Sequence, residues 1–451
     1  MSKRKEQIRL GAFLMTCGHH IAAWRHPDAQ ANAGVSLRHF LEVAQTAERG
    51  LFDMLFLADS MGSFTEPQAL SYTSYGAEFE PLTLLSAIAG HTRHIGLAAT
   101  ATTTYYEPYI LARLFASLDL LSGGRAAWNL VTSGDPTEAR NFGRDKHPEP
   151  EERYDRAEEF VDVVKGLWES WEDDAFPRDK ESGIFSDPGK RHPLNHKGRH
   201  LSVSGPLNVP RSPQGHTVIV QAGSSGPGRA LAARTAEVVF TAHPVIEEAQ
   251  AFYADVKRRM AAFGRSPDTL KIMPGVFPVI GGSEAEARAK YDALGDLIHP
   301  ALIARNFLSS YFGEPRLKDH PLDQPLPDWL TVDGRSSRPA LLLAMARRDG
   351  LTARQLYYQV AGARGHRTIY GTPESIADQL EDWFDNHAAD GFNIMPSHFP
   401  AALTDFVEQV IPILQKRGRF RTEYAGTTLR ENLGLPFPVH PASRSVAQAA
   451  E

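Results

Sequence analysis

The stretch His94–Ser133, HIGLAATATTTYYEPYILARLFASLDLLSGGRAAWNLVTS, contains one complete strand–helix unit and the strand that follows it. His94–Thr100 is a short apolar run without helical periodicity, the pattern of a strand buried on both faces. Pro108–Leu121 then has helical spacing, with Pro at its start and Ser122-Gly123-Gly124 as its stop. Ala126–Val131 reads as the next strand. Two strands joined by a crossover helix form a parallel pair.

The same alternation continues in both directions. Upstream, Ile8–Met15 and Asp53–Ala58 read as strands, and His39–Glu48 and Leu82–Gly90 as helices. Downstream, Glu151–Trp171 reads as a long helix. Thr217–Gln221, Val238–Thr241 and Ile272–Val279 read as strands, with helices around Ile246–Phe263 and Ser283–Leu297. Gly391–Met395 is a last strand before the helix Leu403–Lys416. Eight such strands in a chain of 451 residues, with no Rossmann glycine fingerprint after the first, predict an α/β fold. Its form is a (β/α)8 TIM barrel with long insertions. The whole chain, 1–451, reads as one barrel domain with insertions near 172–216 and 299–366, both too long for barrel connections. The second, with Tyr311 and Phe312, is a candidate lid. The tail from about residue 426 is Pro- and Ala-rich and is expected to lie over the surface or a neighbouring subunit.

Composition narrows the function. One Cys excludes an intrachain disulfide framework and a Cys-cluster metal site. With 48 Lys+Arg against 54 Asp+Glu, the net charge of −6 argues against a nucleic-acid binder that tracks phosphates. No apolar run reaches membrane-spanning length, and Met1–Glu6 leads into no signal-type apolar segment, so a soluble cytoplasmic protein is expected.

Barrel enzymes build their active sites at the carboxyl ends of the strands. Thr16-Cys17-Gly18-His19-His20 follows the first strand and Asp59 the second. Thr100, Thr102 and Thr104 share one face of the third, because strand side chains alternate. Asn129 stands near the end of the fourth. After the fifth, Gly223-Ser224-Ser225-Gly226 enters a helix, offering backbone N–H groups and hydroxyls to an anion. Ser225 reads equally as a plain N-cap, Asp59 as a loop cap, and Tyr154 as a tyrosine packed against the barrel wall. His19 and His20 are adjacent and point opposite ways, and no carboxylate–His spacing completes a set, so no metal is expected. Gly-x-Ser-x-Gly is absent, and with it a nucleophile elbow.

Several segments together resemble one family. They include Ala23-Trp24-Arg25-His26-Pro27, Phe56-Leu57-Ala58-Asp59, Gly124–Ser133, Asn141-Phe142-Gly143, Arg153-Tyr154-Asp155, Pro210–Gly215, Gln221-Ala222-Gly223, Ala389-Asp390-Gly391-Phe392 and Phe420–Tyr424. The chain is similar in these to the bacterial-luciferase-like flavin-dependent monooxygenases, in the nitrilotriacetate, dibenzothiophene-sulfone and long-chain alkane monooxygenase branch. The resemblance implies a two-component enzyme that takes FMN, as FMNH2, from a separate NAD(P)H-dependent flavin reductase. It implies the use of O2 to oxygenate a small substrate, an organosulfur (sulfone-type) or amine compound, with C–S or C–N cleavage. It also implies a homodimer or homotetramer.

Position by position, the resemblance puts Asp59 near the flavin ring, Thr100 or Thr102 against it and Asn129 at its polar edge. Tyr154, Gly223, Ser224 and Ser225 hold the phosphate end. Cys17 and His20 are candidates for the wall near the reacting oxygen, and with Asn129 make up the catalytic set. Two positions depart from the family pattern. Pro150 stands where relatives carry a flavin-contacting His, with His147 three residues upstream, and Gly134 replaces a His of the alkane enzyme. An alkane substrate is correspondingly disfavoured. The alternatives are a deazaflavin-dependent oxidoreductase on the same barrel and a non-catalytic flavin-binding protein.

Overall fold

The computed structural model describes residues 4–62, 71–299, 302, 307–332 and 337–443. Its strands, in chain order, are β1 Arg9–Leu14, β2 Met54–Leu57, β3 Gly96–Thr102, β4 Ala126–Val131, β5 His196–Lys197, β6 Ser202–Val203, β7 Val218–Gln221, β8 Val238–Thr241, β9 Lys271–Ile280, β10 Arg367–Gly371 and β11 Gly391–Ile394. The order β11-β1-β2-β3-β4-β7-β8-β9 is parallel throughout, and the pairing of β9 with β11 closes it into the eight-stranded barrel. All eight expected strands are in it, within a residue or two at their ends.

Alternation along each strand separates two apolar layers. Leu97, Ala99, Trp128, Leu130 and Ile219 face the surrounding helices. Phe13, Phe56, Ala98, Ala127, Val218, Val220 and Phe240 fill the barrel. The helix Pro108–Ser122 opens with Pro and closes on Gly123, whose φ of 70° is the left-handed conformation that a glycine adopts without strain. Among the described residues no helix is long and apolar enough to cross a membrane.

Three features differ from the sequence reading. β10 was not anticipated; it pairs with the outer half of β9, from Arg367↔Val276 to Gly371↔Ile280. Arg-Thr-Ile-Tyr-Gly has one fully buried apolar residue, Ile369, too weak a pattern to read unaided. Among the described residues of 299–366, the helices Ser337–Arg348 and Ala353–Ala363 build a separate apolar cluster around Leu317, Leu330, Leu342 and Leu356. Phe312 is buried in that cluster rather than poised over the mouth, and the Tyr311 side chain lies outside the described residues.

The tail is also different from expectation. The short helix Leu429–Leu433 brings Leu429, Leu433 and Leu435 into the interior cluster, at the end where the strands begin. Leu429 N–H donates to Gly124 O at 3.0 Å, and Arg9 Nη1 donates to Asn432 O at 2.7 Å. The segment closes the bottom of the barrel because three leucines bury more apolar surface there than they would on a polar exterior.

Candidate active site

A cavity of about 950 Å3 opens at the carboxyl ends of the strands. Asp59, Thr100, Thr102, Tyr154, Gly223, Ser224 and Ser225 all border it, so seven residues expected from separate elements meet at one place. Asn129 stands beside Thr100 on the neighbouring strand, inside the barrel.

The candidate anion seat is built from glycine geometry. Ser225 caps the helix Gly226–Thr235, and its Oγ accepts from Gly228 N–H at 3.2 Å. A Cβ on Gly223 would lie 2.9 Å from Gly228 Cα, and one on Gly228 would lie 3.0 Å from both Gly223 Cα and the Tyr154 hydroxyl. Only glycines let the turn and the helix start approach this closely. The Tyr154 hydroxyl stands 3.3 Å from Ser225 Oγ, so a phenol and a helix cap point at one spot. That spot carries the positive end of the helix dipole. Ser225 Oγ caps the helix, and the residue also borders the cavity.

The floor is lined by hydroxyls and amides. Thr100 Oγ1 donates to Leu57 O at 2.7 Å and accepts from Asn129 Nδ2 at 2.7 Å. That leaves Asn129 Oδ1 and, at the end of β7, Gln221 Oε1 as buried acceptors without a partner among the described residues. Buried acceptors in this state call for a donor.

One wall holds Glu138, which no sequence pattern singled out. Ser133 sits at φ 57°, a strained value for a non-glycine residue, and its Oγ lies 2.8 Å from Thr102 Oγ1 and 2.5 Å from Glu138 Oε2. Ser60 donates to the other Glu138 oxygen at 3.2 Å. Glu138 is buried, which pushes its carboxyl up, and it ties the loop after β2 to the loop after β4. In the sequence it is one acid in a short polar segment.

Asp59 is half-buried, and its carboxyl is pushed up to about 6 by burial, with Glu80 and Glu138 adding repulsion. The folded chain therefore holds this proton more tightly than the unfolded one. Its contribution favours folding at acid pH and is lost as pH rises from the ordinary value of 3.8 through about 6. Asp59→Asn should raise the melting temperature at pH 7 relative to the parent and flatten its change between pH 4 and 6. Thermal unfolding across that range checks both.

Cys17 and His20 do not border the cavity. The chain after β1 pairs with the segment after β11, through His19 N–H to Pro396 O at 2.9 Å and His20 N–H to Ser397 O at 3.2 Å, and this turns their side chains into the protein. The Cys17 thiol donates to Gln30 O at 3.3 Å among Ala23 and Ala33, and burial pushes it up. His20 Nδ1 accepts from Ala22 N–H, and its ring meets Tyr291 edge-on at 5.8 Å; burial pushes it down to about 3. His147 is held by the Tyr105 hydroxyl at 2.6 Å and does not line the cavity, whereas Pro150 does. Two His/carboxylate clusters, His26–Asp28–His398 and Glu172–His192–His440, have ligand atoms within 4.8 Å, and neither borders the mouth. Both His440 nitrogens are already bonded, to Glu169 O and Ala442 N–H.

A second cavity of about 520 Å3 shares Ala222, Ser224 and Arg229 with the first. A glycine-cradled anion seat, a floor of hydroxyls and amides and an adjoining chamber suit a barrel enzyme that binds an elongated ligand by its anionic end beside a second molecule.

Comparison with known proteins identifies the class. Residues 13–390 match the luciferase-like monooxygenase family, and the chain belongs to it. It is 55% identical to the N-acetyl-S-(2-succino)cysteine monooxygenase of Bacillus subtilis (strain 168), over 98% of this chain and 99% of that protein. It is 50% identical to nitrilotriacetate monooxygenase component A of Aminobacter aminovorans, over 97% and 99%. The crystal structure of DmoA from Hyphomicrobium sulfonivorans superposes with a TM-score of 0.88 at 34% identity, covering 97% of this chain and 96% of that one. The chain is thus an enzyme of the two-component, flavin-dependent monooxygenase family.

Proposed function

We propose that the chain binds FMN in its reduced form, delivered by an NAD(P)H-dependent flavin reductase, and uses O2 to oxygenate a small organosulfur or amine compound. The observation that carries this reading is the seat formed by Tyr154, Ser225, Gly223 and Gly228, in the same barrel mouth as the unpartnered Asn129 and Gln221 acceptors. Bound reduced FMN supplies the two electrons that activate O2.

The chain's own residues position and shield. Tyr154, Ser224 and Ser225 would donate to the phosphate. Asn129 Oδ1 and Gln221 Oε1 would accept from the ring's N–H groups, and the bonds of Thr100 and Thr102 to Leu57, Asn129 and Ser133 hold that part of the floor in place. Leu341 and Ala344, from the 299–366 insertion, wall the second chamber and help to exclude water. The relatives' names describe sulfur or nitrogen centres with succino or acetate arms, which supports a heteroatom-centred substrate. We take the whole chain to work as one barrel domain in the cytoplasm, as a homodimer or homotetramer.

The test is turnover with FMN, NADH, a flavin reductase and 18O2 on a panel of thioethers, sulfones and tertiary amines. Incorporation of one labelled oxygen atom into a product whose C–S or C–N bond is cut is the expected result. Reductase-dependent H2O2 alone across the whole panel would contradict the substrate class.

A further inference from the structure

We infer that the second chamber, at the ends of β7 and β8, seats a carboxylate of the substrate and that Arg229 is the group that takes it. The inference rests on the proposed function, whose substrate class it narrows to anionic heteroatom compounds.

Phe240, Ala242, Ala251, Phe252, Leu341 and Ala344 supply the chamber's apolar wall. Arg229, Thr241, His243 and His366 supply its polar lining, the His243 ring lying 5.0 Å from that of Phe252, and Ser224 borders the larger cavity as well. Arg229 leaves the first turn of the helix Gly226–Thr235, and its Nη1 donates to Asp255 Oδ2 at 2.9 Å. The same carboxylate also accepts from Arg258 Nη2 at 2.6 Å and Arg259 Nε at 2.9 Å. Three guanidiniums therefore share Asp255, and even with Glu248 on the chamber wall the local balance stays positive.

Arg229 Nη2 and Nε have no partner among the described residues, so the guanidinium is held on one side and free on the other. His243 Nε2 lies 2.9 Å from Thr241 Oγ1, and burial together with the Arg229 charge pushes the ring down to about 4. At neutral pH the ring is uncharged and leaves the positive charge to Arg229. A fixed guanidinium beside a neutral imidazole and a hydroxyl suits a carboxylate better than an uncharged sulfone. The apolar wall takes the body of the molecule.

The flavin phosphate is the other anion within reach, because Ser224 and Arg229 border both cavities. The experiment separates the two sources. Thiodiacetate, nitrilotriacetate and their methyl esters are titrated calorimetrically into FMN-loaded parent, Arg229→Gln and Arg229→Lys protein, and FMN and riboflavin into the flavin-free forms.

At least one free acid should bind the parent, weaken about tenfold or more in Arg229→Gln and recover in part in Arg229→Lys. The esters should bind both forms alike, and FMN affinity should stay within about twofold of the parent. Equal binding of acid and ester to the parent, no acid binding at all, or an unchanged Arg229→Gln would overturn the carboxylate seat. So would an Arg229→Gln protein that loses FMN but keeps riboflavin, since that assigns Arg229 to the cofactor phosphate. If the parent itself fails to bind FMN, the flavin reading falls instead, and the acid titrations on that parent still decide the seat.

Discussion

Replacing Tyr154 by Phe and Ser225 by Ala together should weaken FMN binding by about 100-fold or more, while riboflavin binding changes by no more than about threefold. The two hydroxyls stand 3.3 Å apart at the N-terminus of the helix Gly226–Thr235. Each would donate to the phosphate, and hydrogen bonds to a charged group contribute about 1.5–3 kcal/mol apiece. Riboflavin lacks the phosphate and gains nothing from them. Ser225 also caps the helix, so the double variant should lose about 1 kcal/mol of stability as well. Fluorescence titration with both flavins reads the difference directly. Equal losses for FMN and riboflavin would mean that the pair supports the loop and does not touch the phosphate.

Arg430→Ala should destabilise the folded chain by about 3 kcal/mol, because it breaks a buried ion pair and strips three carbonyls of their donor. Arg430 is 3% exposed, and both its Nη atoms meet Glu237. It also donates to Gln214 O at 3.2 Å, Pro436 O at 3.1 Å and His216 O at 3.1 Å. Burial alone would push the Glu237 carboxyl up, but the Arg430 charge and hydrogen bond, with the Lys165 charge and the Ile219 N–H, outweigh it and hold the carboxyl below its ordinary value of 4.5. The stability from this pair is therefore fully present above pH 4.5 and is lost as pH falls through the lower folded value. Urea unfolding at pH 7 and at pH 4 should show a gap between parent and variant that narrows at the lower pH. No gap at pH 7 would mean that the tail does not hold the barrel closed.

The barrel was legible because its strands are buried on both faces. Leu97–Thr100 and Ala126–Val131 read as continuous apolar runs, and the helix between them carries its own start and stop. β10 lacks such a run, and the tail helix Leu429–Leu433 is only one turn long, so its place in the barrel follows from tertiary packing alone. The site was legible wherever strand alternation or a helix start fixed where a side chain points, as with Thr100, Thr102 and Ser225. Cys17 and His20 sit in a turn whose direction is set by pairing with Pro396 and Ser397, far away in sequence. Glu138 gained its place from two loops meeting, which no local pattern records.

The proposed function requires this barrel mouth to hold reduced FMN for reaction with O2. Anaerobic titration with FMN and with FMNH2, followed by mixing with oxygenated buffer, tests it most directly. Tight binding that favours FMNH2 is expected, followed by reoxidation slower than that of free FMNH2 and only small release of H2O2. Failure to bind either flavin, with a deazaflavin binding in their place, would contradict it.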